Sequence, residues 1–566
     1  MIFDILTIYL LVLTITFSFV GYGFIITNFV NKKIIKFNIG YIGLLGLFFS
    51  TIISYITIFF LKHGYTHNLI FHLLGISFFI YFIKKNKNII NLKRYILIFS
   101  ILFIGLLILR NHDDFNYYHL TYSLGLTENK LVLGLGNLGH GYTHHSSIFF
   151  LNSLIFLPYI KHFLFHSIGW ISLFFVNLIL FDEILFKNRK KLDFEFFFYI
   201  FSFLFINFKF FRIGSYGTDL SGQIIILCLI PLIYKIYKFK KIENLDQPNF
   251  SLVVILITYL TTLKSFMVLN FLYLVPILIF TKFKKLKYIL LPKVILTALS
   301  AIVLLILINI SYTGCMIYPV KQTCFENKLE WSLKKDHVQN MNQWYQQWSK
   351  AGAGVNYRIE NPKEYIKKLN WLPNWYEKYF LYKFKETLLG ISFLVFLVLS
   401  LYLFKFKKKF IKLNYDSKRS IKIVSLVSSI LFLEWFFNHP ALRYGGYYLL
   451  VALIFIPFSV FMSKFNIAAH SKKITTISLI ILSYSLFNLK NFSRIIDEKQ
   501  IVNNNNFPYF YSPKQKFTSN DIGGNIKIYV PIDYSGCWAI KTPCIHHADH
   551  VVGSQLGPFK VIKKKY

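Results

Sequence analysis

Long apolar runs recur along the whole chain, each divided from the next by a short cluster of lysines and arginines. Few soluble folds accommodate that pattern. About 20 apolar residues in a row match the ~30 Å hydrocarbon layer of a bilayer, and there a single segment satisfies its backbone only as a helix. Hydrophobic residues make up 55% of the 566, above the roughly 45–50% of a soluble domain. The reading is an all-α polytopic membrane protein. The first run, 2–30, is long enough to span and lacks a basic start, so it reads as a helix and not as a cleavable leader.

Lysine and arginine outnumber acids by 63 to 25, a net charge of +38. In a soluble protein that excess would suggest nucleic acid. Here the bases lie between apolar runs, where they face the cytoplasm and anionic headgroups, and no nucleic-acid partner is expected. The clusters fall at 31–36, 84–94, 187–191, 238–241, 282–287, 405–422 and 464–473. Keeping all of them on one side demands an even number of spans between neighbours. Spans at 2–30, 39–61, 68–83, 95–110, 168–186, 194–212, 221–236, 250–264, 266–280, 294–313, 387–404, 423–438, 446–463 and 474–490 satisfy this, about fourteen helices with both termini outside. The scheme requires that 148–166, interrupted by Pro158, Lys161 and two histidines, lie at the interface and not cross.

Four segments then share the outer side: the loop 111–167, the turn 213–220, the loop 314–386 and a tail from 491, read as a small β-containing unit from the alternation at 526–532. The division is a three-helix accessory region (1–94), a core (95–490) and the tail (491–566). Cys228 falls mid-membrane as a packing residue. Cys315 and Cys324 in the long loop, and Cys537 and Cys544 in the tail, read as two local disulfides in an oxidising compartment. Asn503 to Asn506 reads as a linker.

Ionisable side chains at a membrane border are costly to desolvate and mark function. Asp113 and Asp114 stand together at the exit of the run ending at Leu109, flanked by His112, Tyr118 and His119. The turn after Arg212 presents Asp219, which is otherwise a helix cap. Three carboxylates could hold a divalent cation such as Mg or Mn, or one could act as a general base. Arg443 and Tyr444, near His439 and beside two glycines that would let a ligand approach, suit a phosphate, as does Lys264; the bland alternative is snorkelling to lipid headgroups. Five of the chain's eight tryptophans (331, 344, 348, 371 and 375) lie in the loop 314–386. They read as interfacial anchors, with 370–380 lying on the headgroups, or as faces for sugar rings. His546, His547, Asp549 and His550 are either a metal site or a solvated loop.

The layout resembles the GT-C class of membrane glycosyltransferases, which use polyprenyl-phosphate-linked sugars outside the membrane. Asp113-Asp114-Phe-Asn-Tyr-Tyr118-His119 is similar to the acidic opening of that class's first large outer loop, and Leu151 to Ile160 to its interfacial stretch. Gly214 to Asp219 is similar to its second acidic site, and Arg443-Tyr444 to its phosphate-contacting position. The chain also resembles a group of bacterial multi-pass membrane proteins with a Cys-x-x-x-Pro loop (Cys315 to Pro319) and a Cys-Trp tail motif (Cys537-Trp538). The resemblance implies transfer of a sugar from a polyprenyl-phosphate donor to a glycan, lipid or protein acceptor on the outer face of the inner membrane. It departs from the common layout in its three leading spans and in an Asp-Asp pair. The rival expectation is a transporter or flippase for a glycolipid or polysaccharide precursor, or a polymerase.

Overall fold

The computed structural model describes residues 2–86, 91–187, 192–215, 217–239, 245–280, 291–352, 359, 361–403, 406–407, 415–467, 469–502, 507–532, 536–545 and 550–565. His546, His547, Asp549 and the 503–506 linker lie outside them. Each expected span contains a helix, but the one expected at 95–110 is α-helical only over Leu92–Leu102 and 3-10 over Phe103–Leu106, and the one expected at 39–61 ends at Thr57. Among the described residues, eight helices are long and apolar enough to cross a membrane: Ile2–Val30, Ile39–Thr57, Tyr65–Lys85, Ser167–Leu185, Thr218–Ile236, Pro292–Thr313, Leu372–Tyr402 and Tyr415–Asn438. The protein is a helical membrane protein. Gln247–Leu263, Ser265–Phe280 and Gly446–Met462 are apolar but shorter. Of these, Ser265–Tyr273 winds as a tight 3-10 helix before Val275–Phe280.

Between lipid-bathed helices there is no hydrophobic drive to associate, so close backbone approach at small residues carries the packing. The first three helices show this. A Cβ on Gly46 would lie 1.8 Å from the Phe19 carbonyl oxygen, and one on Gly21 would lie 1.9 Å from that of Gly75. The three also join the rest: Gly43 of the second helix lies against the ring of Phe175 in Ser167–Leu185. One apolar core runs from Ile8 to Phe487, so the leading helices share it instead of standing apart. Inside it Asn207 donates to Asn177 (2.9 Å) and Ser483 (3.2 Å), tying three helices by the polar bonds that substitute for water.

Basic residues from three of the clusters meet at one end of the bundle. Arg94 pairs with Asp182, Lys235 and Lys238 with Glu195 (3.0 and 3.4 Å), and Arg419 donates to the Tyr237 carbonyl (3.0 Å). At the opposite end lie Asp114, Asp219, Lys264 and Arg443. Residues 148–166 do not cross: Ser147–Leu154 is eight residues long, about 12 Å, and fully buried, with turns after it. It is therefore a core element and not a helix lying on headgroups.

Two helices run well beyond their expected limits. The helix expected at 474–490 runs Ala469–Val502, because the polar segment after Lys490 keeps helical pairing, Arg494 to Glu498 at 3.6 Å. The helix expected from 387 begins with Leu372–Trp375 and a π-helical stretch, Tyr376–Phe384. Trp371 and Trp375 are buried in the core, and Trp375 donates to the Pro440 carbonyl (2.8 Å); they are not headgroup anchors.

The tail holds two antiparallel hairpins, Phe517–Asp521 with Lys527–Pro531 and Val551–Leu556 with Phe559–Lys564. The second docks on Leu133 through Val561. Both expected disulfides, Cys315–Cys324 and Cys537–Cys544, are present, and Cys228 is free and buried. A reporter fused after Lys422 should be cytoplasmic and one fused after Val502 exported; both on one side would break the two-ended arrangement of charge.

Candidate functional site

The acidic opening is placed by the tail. Tyr511 N–H donates to the Leu109 carbonyl (2.8 Å), the Phe115 ring packs on Phe510 (5.2 Å), and Trp538 N–H donates to the Asn116 carbonyl (3.1 Å). Between these clamps Phe115–His119 forms a π-helical turn, a wide turn common at functional sites. Adjacent helical residues point about 100° apart, so the two aspartates cannot serve one site. Asp113 is turned outward, its side chain 90% exposed and 3.9 Å from Arg110. Asp114 turns inward, 3.6 Å from Arg443 Nη2.

Asp219 sits in the first turn of the helix Gly217–Ile236, whose N-terminus favours its charge. It is not simply a cap. Oδ1 lies 2.8 Å from Lys264 Nζ and Oδ2 accepts from Arg443 Nε at 2.9 Å. Lys264 closes the C-terminal end of Gln247–Leu263, the favourable end for a cation. Arg443 stands in the turn Leu442–Tyr444, held by Gln223, which donates to the Arg443 carbonyl (2.8 Å), and by Leu442 N–H donating to the Tyr379 hydroxyl (2.7 Å). Its guanidinium also lies over the rings of Trp348 (5.2 Å) and Tyr444 (5.3 Å).

The two glycines beside it do not open space for a ligand. Gly445 has φ +99°, which completes the turn, and a Cβ on Gly446 would lie 2.3 Å from the Trp435 indole. They serve backbone and packing.

Histidines wall the cluster. Asp114 N–H donates to His112 Nδ1 (3.1 Å), and that nitrogen is also 3.3 Å from Asp114 Oδ2. Without a proton it serves the N–H; with one it serves the carboxylate. His119 stacks edge-on to Tyr118 (4.4 Å), which is buried; His144 lies 6.2 Å from Tyr118 and 5.0 Å from Tyr345. Burial pushes His119 and His144 down to about 3; Asp114 opposes the shift at His119, while Lys264 adds to it at both. His439, 3.4 Å from Ser349 Oγ, is pushed down to about 4 by burial and Lys350. Burial acts to raise the Asp114 carboxyl, but hydrogen bonding from His112 and the charges of His119, His112 and Arg443 outweigh it and hold the group well below the usual range.

Asp114, Asp219, Lys264, Arg443, Tyr444, His112, Tyr118 and His119 thus converge, with His439 flanking Tyr444 at 6.3 Å. Asp113 does not join them. Among the described residues no group of three or more His, Cys, Asp or Glu side chains could hold a metal ion. The converging carboxylates are met by Lys264 and Arg443 instead, so the expected three-aspartate cation site does not form. Gln223, Tyr379 and the histidines at 140 and 144 went unread in the sequence. Gln223 lies one turn after Asp219 on the same helix, which is the signal that would have found it.

All four charged residues lie within 5–450, the stretch matched by the model of a domain of unknown function, DUF8201. The chain belongs to the DUF8201 family. The second disulfide and the hairpin tail lie beyond the DUF8201 match. No curated protein and no solved structure matches the chain.

Replacing Asp219 by Asn leaves Lys264 and Arg443 without their shared counter-charge. The cost should be on the order of 3 kcal/mol, read as a lowered thermal midpoint in detergent; an unchanged midpoint would mean the pairs contribute nothing. The histidines set a second expectation. Below about pH 6.5 the unfolded chain takes protons that native His119 and His144 refuse, so stability falls as pH drops toward 3. Each histidine kept neutral one unit below its ordinary value costs about 1.4 kcal/mol. His144→Gln should flatten the melting-midpoint profile between pH 6 and 4, and an unaltered slope would exclude His144 as a contributor.

Proposed function

We propose that this protein is a glycosyltransferase of GT-C-like architecture, with about fourteen membrane helices, working at the outer face of the inner membrane. It moves a sugar from a polyprenyl-phosphate donor to a glycan, lipid or protein acceptor in cell-envelope assembly. The observation that carries the reading is Arg443, which reaches Asp219 at 2.9 Å and Asp114 at 3.6 Å while keeping its side chain 32% exposed. Cations poised beside a carboxylate at a membrane edge are what transfer from a phosphate-linked sugar requires.

In this scheme the donor phosphate meets Arg443 and Lys264, with Tyr444 alongside. Asp219 holds both cations in place and takes no proton. The acceptor hydroxyl oxygen bonds to the anomeric carbon, its proton passes to Asp114, and the anomeric C–O bond breaks with the electron pair kept by the phosphate. A single displacement inverts that carbon. His119, His112 and Tyr118 shape the acceptor side.

The test is Asp114→Asn at matched membrane levels, following transfer of radiolabelled sugar from polyprenyl phosphate. Asn preserves shape but accepts no proton, so turnover should fall by about 10²–10⁴-fold, while Asp113→Asn stays near normal. Near-normal transfer by Asp114→Asn would remove the base assignment. Movement of lipid-linked precursor across vesicles without any transfer would favour a flippase.

A further inference from the structure

Next to the Arg443 cluster, and sharing His112 with it, lies a cavity of about 680 Å³. Arg110, Arg212, Lys490 and Arg494 line it, together with Asp113, Asp497 and Glu498. The three acids do not neutralise its interior. Glu498 is buried and already committed: Oε2 accepts from the N–H groups of Leu109 (2.9 Å) and Arg110 (3.3 Å), and Oε1 meets Arg212 (3.3 Å) and Arg494 (3.6 Å). Asp113 and Asp497 are exposed at the rim.

The bases keep unused capacity. Arg494 is 5% exposed, yet its Nε and Nη1 have no hydrogen-bond acceptor among the described residues. Buried donors of that kind normally find one. Lys490 Nζ reaches the Phe208 carbonyl (3.3 Å) and the face of the Phe208 ring (3.5 Å), with no carboxylate in ion-pair range among the described residues. The Arg110 side chain is half exposed, and the only carboxylate its guanidinium reaches among the described residues is Asp113 at 3.9 Å.

Position narrows the ligand. The helix Ala469–Val502 has 34 residues, about 51 Å at 1.5 Å per residue. That exceeds a hydrocarbon layer of ~30 Å, so its last turns rise into the headgroup zone. Phe211 and the exposed Ile501 give the cavity an apolar rim. Three arginine forks and one lysine suit the oxygens of a phosphate.

We infer that this cavity binds the phosphate of an anionic membrane lipid, at a site that adjoins the Arg443 cluster at His112 but uses other cations, and that is independent of the activity proposed above. The probes are phosphatidylglycerol, neutral phosphatidylcholine and inorganic phosphate, each added to full-length protein stripped of lipid in an uncharged detergent. Binding is read by native mass spectrometry and by the thermal midpoint. Phosphatidylglycerol should bind and raise the midpoint, phosphatidylcholine should not, and Lys490→Gln and Arg110→Gln should each weaken binding at least tenfold while remaining folded. Inorganic phosphate that binds as well as the lipid and loses affinity in the same variants would keep the phosphate site and overturn its lipid source. Equal binding of both lipids, or affinity unchanged in both variants, overturns the proposal. Binding lost in Arg443→Gln but untouched in Lys490→Gln belongs to the other site and overturns it as well.

Discussion

One end of the helical bundle depends on a single carboxylate shared between two cations. Asp219 meets Lys264 and Arg443 at 2.8 and 2.9 Å, with its side chain 9% exposed. Each of the three charges alone would be expensive at that depth, and together they are tolerable. The triad also joins the start of Gly217–Ile236, the end of Gln247–Leu263 and the turn Leu442–Tyr444. Gln223 reinforces the same joint through the Arg443 carbonyl. A site built on three helix ends is stiff, because moving one end breaks a buried pair.

Hydropathy carried most of the fold, since the length of an apolar run and the side of its basic flank are local quantities. It failed where helix and membrane part company. Ala469–Val502 continues for three turns past its apolar stretch because the polar residues still pair at helical spacing, as Arg494 and Glu498 do. Trp371 and Trp375 look like interfacial anchors in sequence, and only the packing of Phe436 against both shows them to be core. The crossing of the first three helices at Gly21, Gly46 and Gly75 is likewise invisible until the partners are placed.

The site was legible to the extent that charge at a membrane edge is rare. That rule alone singles out Asp113, Asp114, Asp219, Lys264 and Arg443. It cannot choose between Asp113 and Asp114, because the choice rests on a helical turn fixed by residues some 400 positions away, Tyr511 and Trp538. Nor does it explain the Gly445-Gly446 pair, which reads as ligand space and is filled by the indole of Trp435. The acidic pair therefore divides: one carboxylate faces the Arg443 cluster, the other a basic cavity beside it.

That division bears on how a base in this position would be controlled. The hydrogen bond from His112, with the neighbouring histidines and Arg443, holds Asp114 well below the ordinary carboxylate range, which makes it a poor proton acceptor. At neutral pH His119 is uncharged, so Arg443 is the cation that persists there. A phosphate arriving at Arg443 competes for the same guanidinium, and whatever charge it takes up is withdrawn from Asp114. The carboxylate would then gain basicity when a phosphate is present, while the His112 hydrogen bond continues to hold it down. Binding and activation would be a single electrostatic exchange, which also guards against a reactive base in an empty site. Lys264, bound to Asp219 and not to Asp114, lacks that effect, so of the two cations only Arg443 provides the coupling.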